Sequence, residues 1–223
     1  MAARHLTFAV GDIHGCLDQL RALLAEIEDY APTGRVIFLG DLIDRGLESR
    51  AVMELIMAGP TRPGWTWLTL KGNHEQMLWG ASSGESDVEW WLVNGGQETL
   101  ISYGGTVPGR HLKWIRELPT ILVERFRIFV HAGVDDTLPL EQQDEGIFLW
   151  IRPPEDYSGD YWGRHLCHGH TPSTANPRTV GNRTNVDSGA VFSGILSCAI
   201  FDDDQPGGPI DFLTTSKAAW RIE

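Results

Sequence analysis

The chain has 223 residues, which fits one fairly large domain or two small ones; 42% are hydrophobic and nine are tryptophan, favouring a packed globule over a disordered chain. A formal charge of -12 without a Lys/Arg cluster works against nucleic acid as a partner, and a polyanionic substrate then needs local arginines or metal ions. No apolar run reaches the ~18 residues that span a membrane. "MAARHLTFAV" is too short for a signal peptide, and Cys16, Cys167 and Cys198 have no disulfide-framework spacing. The expectation is a cytoplasmic protein, away from membranes, whose reduced cysteines are small core fillers.

In chain order, "LTFAV" predicts a strand and "LDQLRALLAEIEDY" a helix, with Leu17, Leu20, Leu24 and Ile27 on one face. "RVIFLG" predicts the second strand, "ESRAVMELIMAG" a helix ending near Gly59, and "WTWLTLKG" the third strand. Residues from Asn73 to Glu117 have a mostly helical pattern with breaks at "NGG" and "GGTVPG", so 74–118 is expected to form a helical cap on a domain covering 1–223. The second half reads as strands, "ILVERFRIFVHAG", "HLCHGH", "RTNVD" and "ILSCAIF", joined by irregular loops. A βαβ half followed by a strand-rich half implies two sheets within one α/β domain.

Polar residues follow the apolar runs five times, as "GDIHG", "GDLIDRG", "GNHE", "HAG" and "GHT". In open α/β sheets ligand sites lie beyond the carboxyl ends of strands, and the flanking glycines permit tight turns there. Asp12, His14, Asp41, Asn73, His131 and His170 offer carboxylate, amide and imidazole donors, a set suited to Mn²⁺, Fe or Zn²⁺ more than to Ca²⁺. Asp12 and His14, two apart, would point to the same side of an extended segment. The two oxygens of Asp41 could serve two ions, and metals ~3.5–4 Å apart can hold a hydroxide and neutralise phosphate oxygens.

With these motifs in this order, together with "WWLVNGG", "ELP", "LWIR" and "VDSGAVFSG", the chain resembles the phosphoprotein phosphatase branch of the metallophosphoesterases over nearly its whole length. The resemblance implies a four-layer fold, a central β-sandwich of two mixed sheets flanked by helices. It implies two divalent ions, Mn²⁺ first with Fe or Zn as alternatives, one held by Asp12, His14 and Asp41 and the other by Asp41, Asn73, His131 and His170. It further implies His74 as general acid paired with Asp44, and Arg45, Arg152 and Asn73 as phosphate contacts. Phosphorylated proteins would be the substrates, hydrolysed by in-line attack of a dimetal-bridging hydroxide. On this reading "GDLIDR" supplies a shared metal ligand, the partner of the acid and a guanidinium that binds phosphate oxygens bidentately.

One departure is visible, Leu47 where many relatives have proline; Pro172 after "GHT", where other branches have a further histidine, follows the protein phosphatase pattern. Symmetrical hydrolysis of diadenosine tetraphosphate is the enzymatic alternative. Those relatives are longer, usually lack the aspartate of "DRG" and carry "GNHD", whereas this chain has Asp44 and Glu75. A phosphoprotein-binding module without turnover is the non-enzymatic alternative. His165 and His168 are expected in local hydrogen bonds or at solvent rather than in a zinc cluster with Cys167. His5 and His111 are expected at the surface, Trp90 and Trp91 in packing, and Asp187 in a hydrogen bond behind His170.

Overall fold

The computed structural model describes residues 5–215. Residues 1–4, part of the stretch weighed as a signal peptide, and 216–223, the end of the expected domain, lie outside them. Two mixed five-stranded sheets face each other. In the first, β1 (Leu6–Val10), β2 (Gly34–Phe38) and β3 (Trp65–Thr69) run parallel, β9 (Ser197–Asp202) pairs antiparallel with β1, and β10 (Asp211–Thr214) pairs antiparallel with β9 at the edge. The second has the order β4 (Ile121–Val123), β5 (Arg127–Val130), β6 (His165–His168), β8 (Arg183–Asn185) and β7 (Arg178–Val180), with β5, β6 and β8 parallel.

Side-chain alternation along the strands divides the core into layers. Ala9, Ile37, Phe129, Cys167, Ala199 and Phe201 meet between the sheets. Phe8, Val10, Val36 and Phe38 point the other way, against α1 (Leu17–Tyr30) and α2 (Ser49–Ala58). Ile128, Val130 and Leu166 form an outer cluster with Phe148 of α7 (Glu145–Trp150). Each large apolar side chain so buried stabilises the fold by about 1.5–3 kcal/mol. The α1 face differs by one position from expectation: Leu23 is buried and Leu24 only partly so.

Between β3 and β4 the chain forms α3 (Asn73–Ser83), α4 (Val88–Trp91), α5 (Gln97–Tyr103) and α6 (Gly109–Glu117). The expected break at "NGG" is a wide turn over Leu92–Gly96 that joins α4 to α5, because Gly95 adopts φ 107° without ending the hydrogen-bonded run. His111, expected at the surface, is buried, and its Nδ1 lies 2.7 Å from the Tyr103 hydroxyl. A helix face turned toward α5 decides this, which single-residue polarity does not reveal. The strands β7 and β10 were not legible: three or four residues with half-exposed side chains lack a periodic signal. His165 and His168 are both buried, with no solvent role; His165 Nε2 meets Thr184 Oγ1 at 2.8 Å and His168 Nδ1 the Gly169 carbonyl at 2.9 Å. The two histidines lie on opposite faces of β6, and the three cysteines are free thiols.

Candidate metal centre

The loops that follow β1, β2, β3, β5 and β6 meet at one edge of the sandwich, because parallel strands deliver their carboxyl ends to the same side. Backbone bonds hold the first two loops together: Ile13 and His14 N–H donate to the Asp41 carbonyl at 3.0 and 2.9 Å, and Gly15 N–H to the Leu42 carbonyl at 2.9 Å. Left-handed backbone concentrates here. His14, Asp41, Asp44, Arg45 and His170 all have positive φ, a conformation that is costly for side-chain-bearing residues and is kept where surrounding contacts enforce it. His14 is therefore not part of an extended segment with Asp12, as the two-residue spacing suggested. A tight turn aims its ring at Asp41 instead.

Two donor groups share Asp41. His14 Nε2 lies 3.5 Å from Asp41 Oδ2, and His131 Nε2 3.4 Å from Oδ1. His131 Nε2 is also 2.9 Å from Asn73 Oδ1 and 3.1 Å from His170 Nδ1, and that nitrogen is 3.0 Å from the same amide oxygen. The opposite ring nitrogens explain the aim: Nδ1–H of His14 donates to the Ile43 carbonyl at 2.8 Å, and Nδ1–H of His131 to the Leu39 carbonyl at 2.9 Å. Both Nε2 atoms are thus bare lone pairs, fixed in orientation from behind. Lone pairs of His131, Asn73 and Asp41 converge beside His170 Nδ1, whose Nε2 has no partner among the described residues, a donor set that fits a cation. On the His14 side a guanidinium stands in for one: Arg45 Nη1–H donates to His14 Nε2 at 2.6 Å. Asp12 lies outside both close groups, its carboxylate accepting from the His170 N–H at 3.0 and 3.2 Å.

The electrostatics agree with this chemistry. Burial, then the neighbouring Asp187 and Asp41, raise the Asp12 carboxyl well above its ordinary value, and burial, then Glu75, do the same to Asp41. Burial also holds His14 and His131 well below the ordinary imidazole value and brings His170 down to about 2, so the rings are neutral donors. Crowded carboxylates among neutral imidazoles, desolvated together, make a strong attraction for divalent cations.

His74, second residue of α3, sits beside this group with Nδ1 2.7 Å from Asp44 Oδ2 and Nε2 4.0 Å from Asp41 Oδ2. Asp44 is itself fully enclosed. Thr99 Oγ1 donates to its Oδ1 at 2.6 Å, Trp91 Nε1 donates to the carboxylate at 3.0–3.1 Å, and its own N–H donates to Thr99 Oγ1 and Ser49 Oγ. Burial pushes Asp44 up to about 7 against these bonds, and burial, then Arg45, keep His74 well below its usual value. Trp91 therefore does more than pack, while Trp90 stacks on Trp150 at a 5.3 Å centroid separation. Arg45 is half-buried and its N–H donates to the Gly95 carbonyl at 3.0 Å; a side chain on Gly95 would meet that nitrogen at 2.6 Å. Arg152 is exposed, and its charge reaches His170 and Asp187. Thr99→Val should destabilise the protein by about 1–3 kcal/mol, since it removes one of two partners from both a buried carboxylate oxygen and a buried N–H, which keep only Trp91 Nε1 and Ser49 Oγ. Urea denaturation checks this, and Thr99→Ser should recover most of the loss.

Residue-by-residue reading missed Glu75. Its carboxylate accepts from the N–H groups of Asp41, Leu42 and Gly72 at 2.8–2.9 Å, tying the β2 loop to the start of α3, and burial lifts it to about 7. The final letter of "GNHE" was the available signal. Thr99 carried none, being one threonine in a helical stretch. Asp187 accepts from Gly189 N–H at 2.9 Å and lies against Asp12, the carboxylate that accepts from the His170 N–H.

The model of the calcineurin-like phosphoesterases matches residues 6–192. A serine/threonine-protein phosphatase 1 of Salmonella typhimurium is 31% identical over 207 residues, covering 88% of this chain and 91% of that one. An asymmetrical bis(5'-nucleosyl)-tetraphosphatase of Geobacillus thermodenitrificans is 30% identical over 223 aligned residues, covering 84% and 87%. Chain length thus does not separate the phosphatase from that kind of dinucleotide hydrolase. Among solved structures, one of a putative diadenosine tetraphosphatase superposes with a TM-score of 0.65 at 21% identity over 97% of this chain and 96% of that one, a likeness of fold.

Proposed function

Because the chain belongs to the calcineurin-like phosphoesterase family, we propose that it is a metal-dependent phosphatase of phosphoserine and phosphothreonine in proteins. The observation that carries this reading is the enclosed His74–Asp44 pair. A serine or threonine alkoxide is a strongly basic leaving group and needs a proton as the P–O bond breaks, whereas the phosphate leaving group of a dinucleotide anhydride is weakly basic. A pair fixed by Trp91 and Thr99 is well suited to the harder departure.

Asp12, His14 and Asp41 would hold one divalent ion, and Asp41, Asn73, His131 and His170 the other, Mn²⁺ first with Fe or Zn compatible with the same donors. When bound, the pair supplies Lewis acidity and an activated water. Arg45 and Arg152, with the Asn73 amide, would orient the phosphate from the open side. His74 keeps Nδ1–H on Asp44, so the proton it transfers leaves from Nε2 toward the departing oxygen. A phosphate dianion beside the ring offsets the field of Arg45 and favours the imidazolium. Asp44 holds the ring in that tautomer and orientation.

The test is kcat/KM for a phosphoserine peptide and for diadenosine tetraphosphate, on one metal-stripped preparation reloaded with Mn²⁺. The peptide is expected to win. Preference for the dinucleotide would overturn the substrate assignment and leave the phosphoesterase family intact.

A further inference from the structure

The outer face of the second sheet holds a feature that the metal centre does not use. In the parallel pairing of β6 with β8, Leu166 lies beside Arg183 and His168 beside Asn185, so these four side chains share the face away from the first sheet. His168, Arg183, Thr171 and Asn185 line one cavity of about 30 Å³, with Arg178 and the exposed Glu155 also on its wall. That volume exceeds what one water fills, ~10–15 Å³.

Polar atoms along this wall are incompletely paired. Arg183 is 5% exposed; its Nη2 donates to the Pro154 and Glu155 carbonyls at 2.8 and 2.9 Å, while Nη1 has no partner among the described residues. No carboxylate among them lies within ion-pair distance of this guanidinium. His168 Nε2 and Thr171 Oγ1 are likewise buried and unpartnered. A buried cation without a counter-charge is costly, and so is each buried polar atom left unbonded. One ligand would relieve all three: an anion that accepts from Arg183 and Thr171. His168 adds a selection rule, since it lines the cavity, its Nδ1–H donates to the Gly169 carbonyl, and its unpartnered Nε2 is therefore an acceptor. The ligand must accept twice and donate once.

We propose that this cavity is a second oxyanion site that binds free monohydrogen phosphate, held by Arg183 Nη1–H and Thr171 Oγ1–H and donating its own proton to His168 Nε2. The cavity's size suits a small ion rather than a phosphorylated side chain. Thr171 adjoins His170, so the site borders the metal centre while opening on another face. This assignment goes beyond the substrate reading and is measurable without turnover.

Calorimetric and ³¹P NMR titration of inorganic phosphate into the chelator-treated full chain tests it. Wild type and Arg45→Ala should show a saturable event that Thr171→Val weakens about tenfold, the effect of one charge-assisted hydrogen bond, and that Arg183→Met abolishes. Thr171→Val changes no charge, and an unaltered thermal midpoint would show that it folds. Sulfate, which has no proton to give at neutral pH, and O-phosphoserine should each bind at least about tenfold more weakly than phosphate. Phosphate binding lost in Arg45→Ala but unchanged in Thr171→Val would place the ion in the metal-centre cleft and overturn the proposal. A wild type with no saturable event would do the same by leaving the cavity to water. Equal affinity for sulfate would overturn the role of His168, and equal affinity for phosphoserine the assignment to the free ion.

Discussion

Asp41→Asn should lower kcat/KM for a phosphopeptide by about a thousandfold or more while leaving the fold intact. The carboxylate touches both donor groups, with Oδ2 toward His14 and Oδ1 toward His131, so one substitution removes charge from both proposed ions. It need not break the local structure. The asparagine oxygen can still accept from His74 N–H, which Asp41 Oδ1 does at 3.0 Å. Stability should even move the opposite way. Burial and then Glu75 raise the Asp41 carboxyl well above its ordinary value, which means that the folded state without metal disfavours charge at this position. Metal-free Asp41→Asn should therefore melt no lower than metal-free wild type, and Mn²⁺ should raise the wild-type midpoint more than the mutant's. Turnover within tenfold of wild type would end the shared-ligand reading.

His74→Asn should separate substrates by their leaving groups. For a phosphoserine peptide the expected loss in kcat is about 10²–10⁴, the ordinary range for removal of a general acid, and for an aryl phosphate only several-fold. The distinction matters because His74 Nε2 also belongs to the close group with His14 and Asp41. A metal-holding role would depress both substrates equally and weaken Mn²⁺ binding. The acid role predicts unequal losses and unaltered Mn²⁺ affinity. Asp44→Asn should follow the same pattern more mildly, since Asp44 orients the ring and does not meet the substrate.

Much of this was legible in the linear order. Short apolar runs, each ended by glycine and a polar residue, place Asp12, Asp41 and Asn73 just beyond strand ends from the sequence alone. Helical periodicity between those runs implied parallel strands, and parallel strands put their carboxyl ends on one side. The early helices and the first three strands followed from the same periodicity. Where periodicity fades the reading also fades, as in β7 and β10, and the polarity of His111 pointed to the wrong surface.

The chemistry of this protein is thus written in residue type and local spacing, because a donor set and the turns that present it are properties of short segments. Its organisation is not. Glu75 reaches back 34 residues to the Asp41 N–H, Thr99 lies 55 residues from the Asp44 it grips, and Asp12 meets the His170 N–H across 158. Such pairs form only when the two sheets stack and the helices between them fold over one edge. The guanidinium of Arg183, with Nη1 unpartnered among the described residues, is of the same kind: only the shared face of β6 and β8 buries it beside His168. Alternation can say that a side chain points to one face, but which neighbours wait on that face is set by strand order, a non-local choice made by the packing of the whole core.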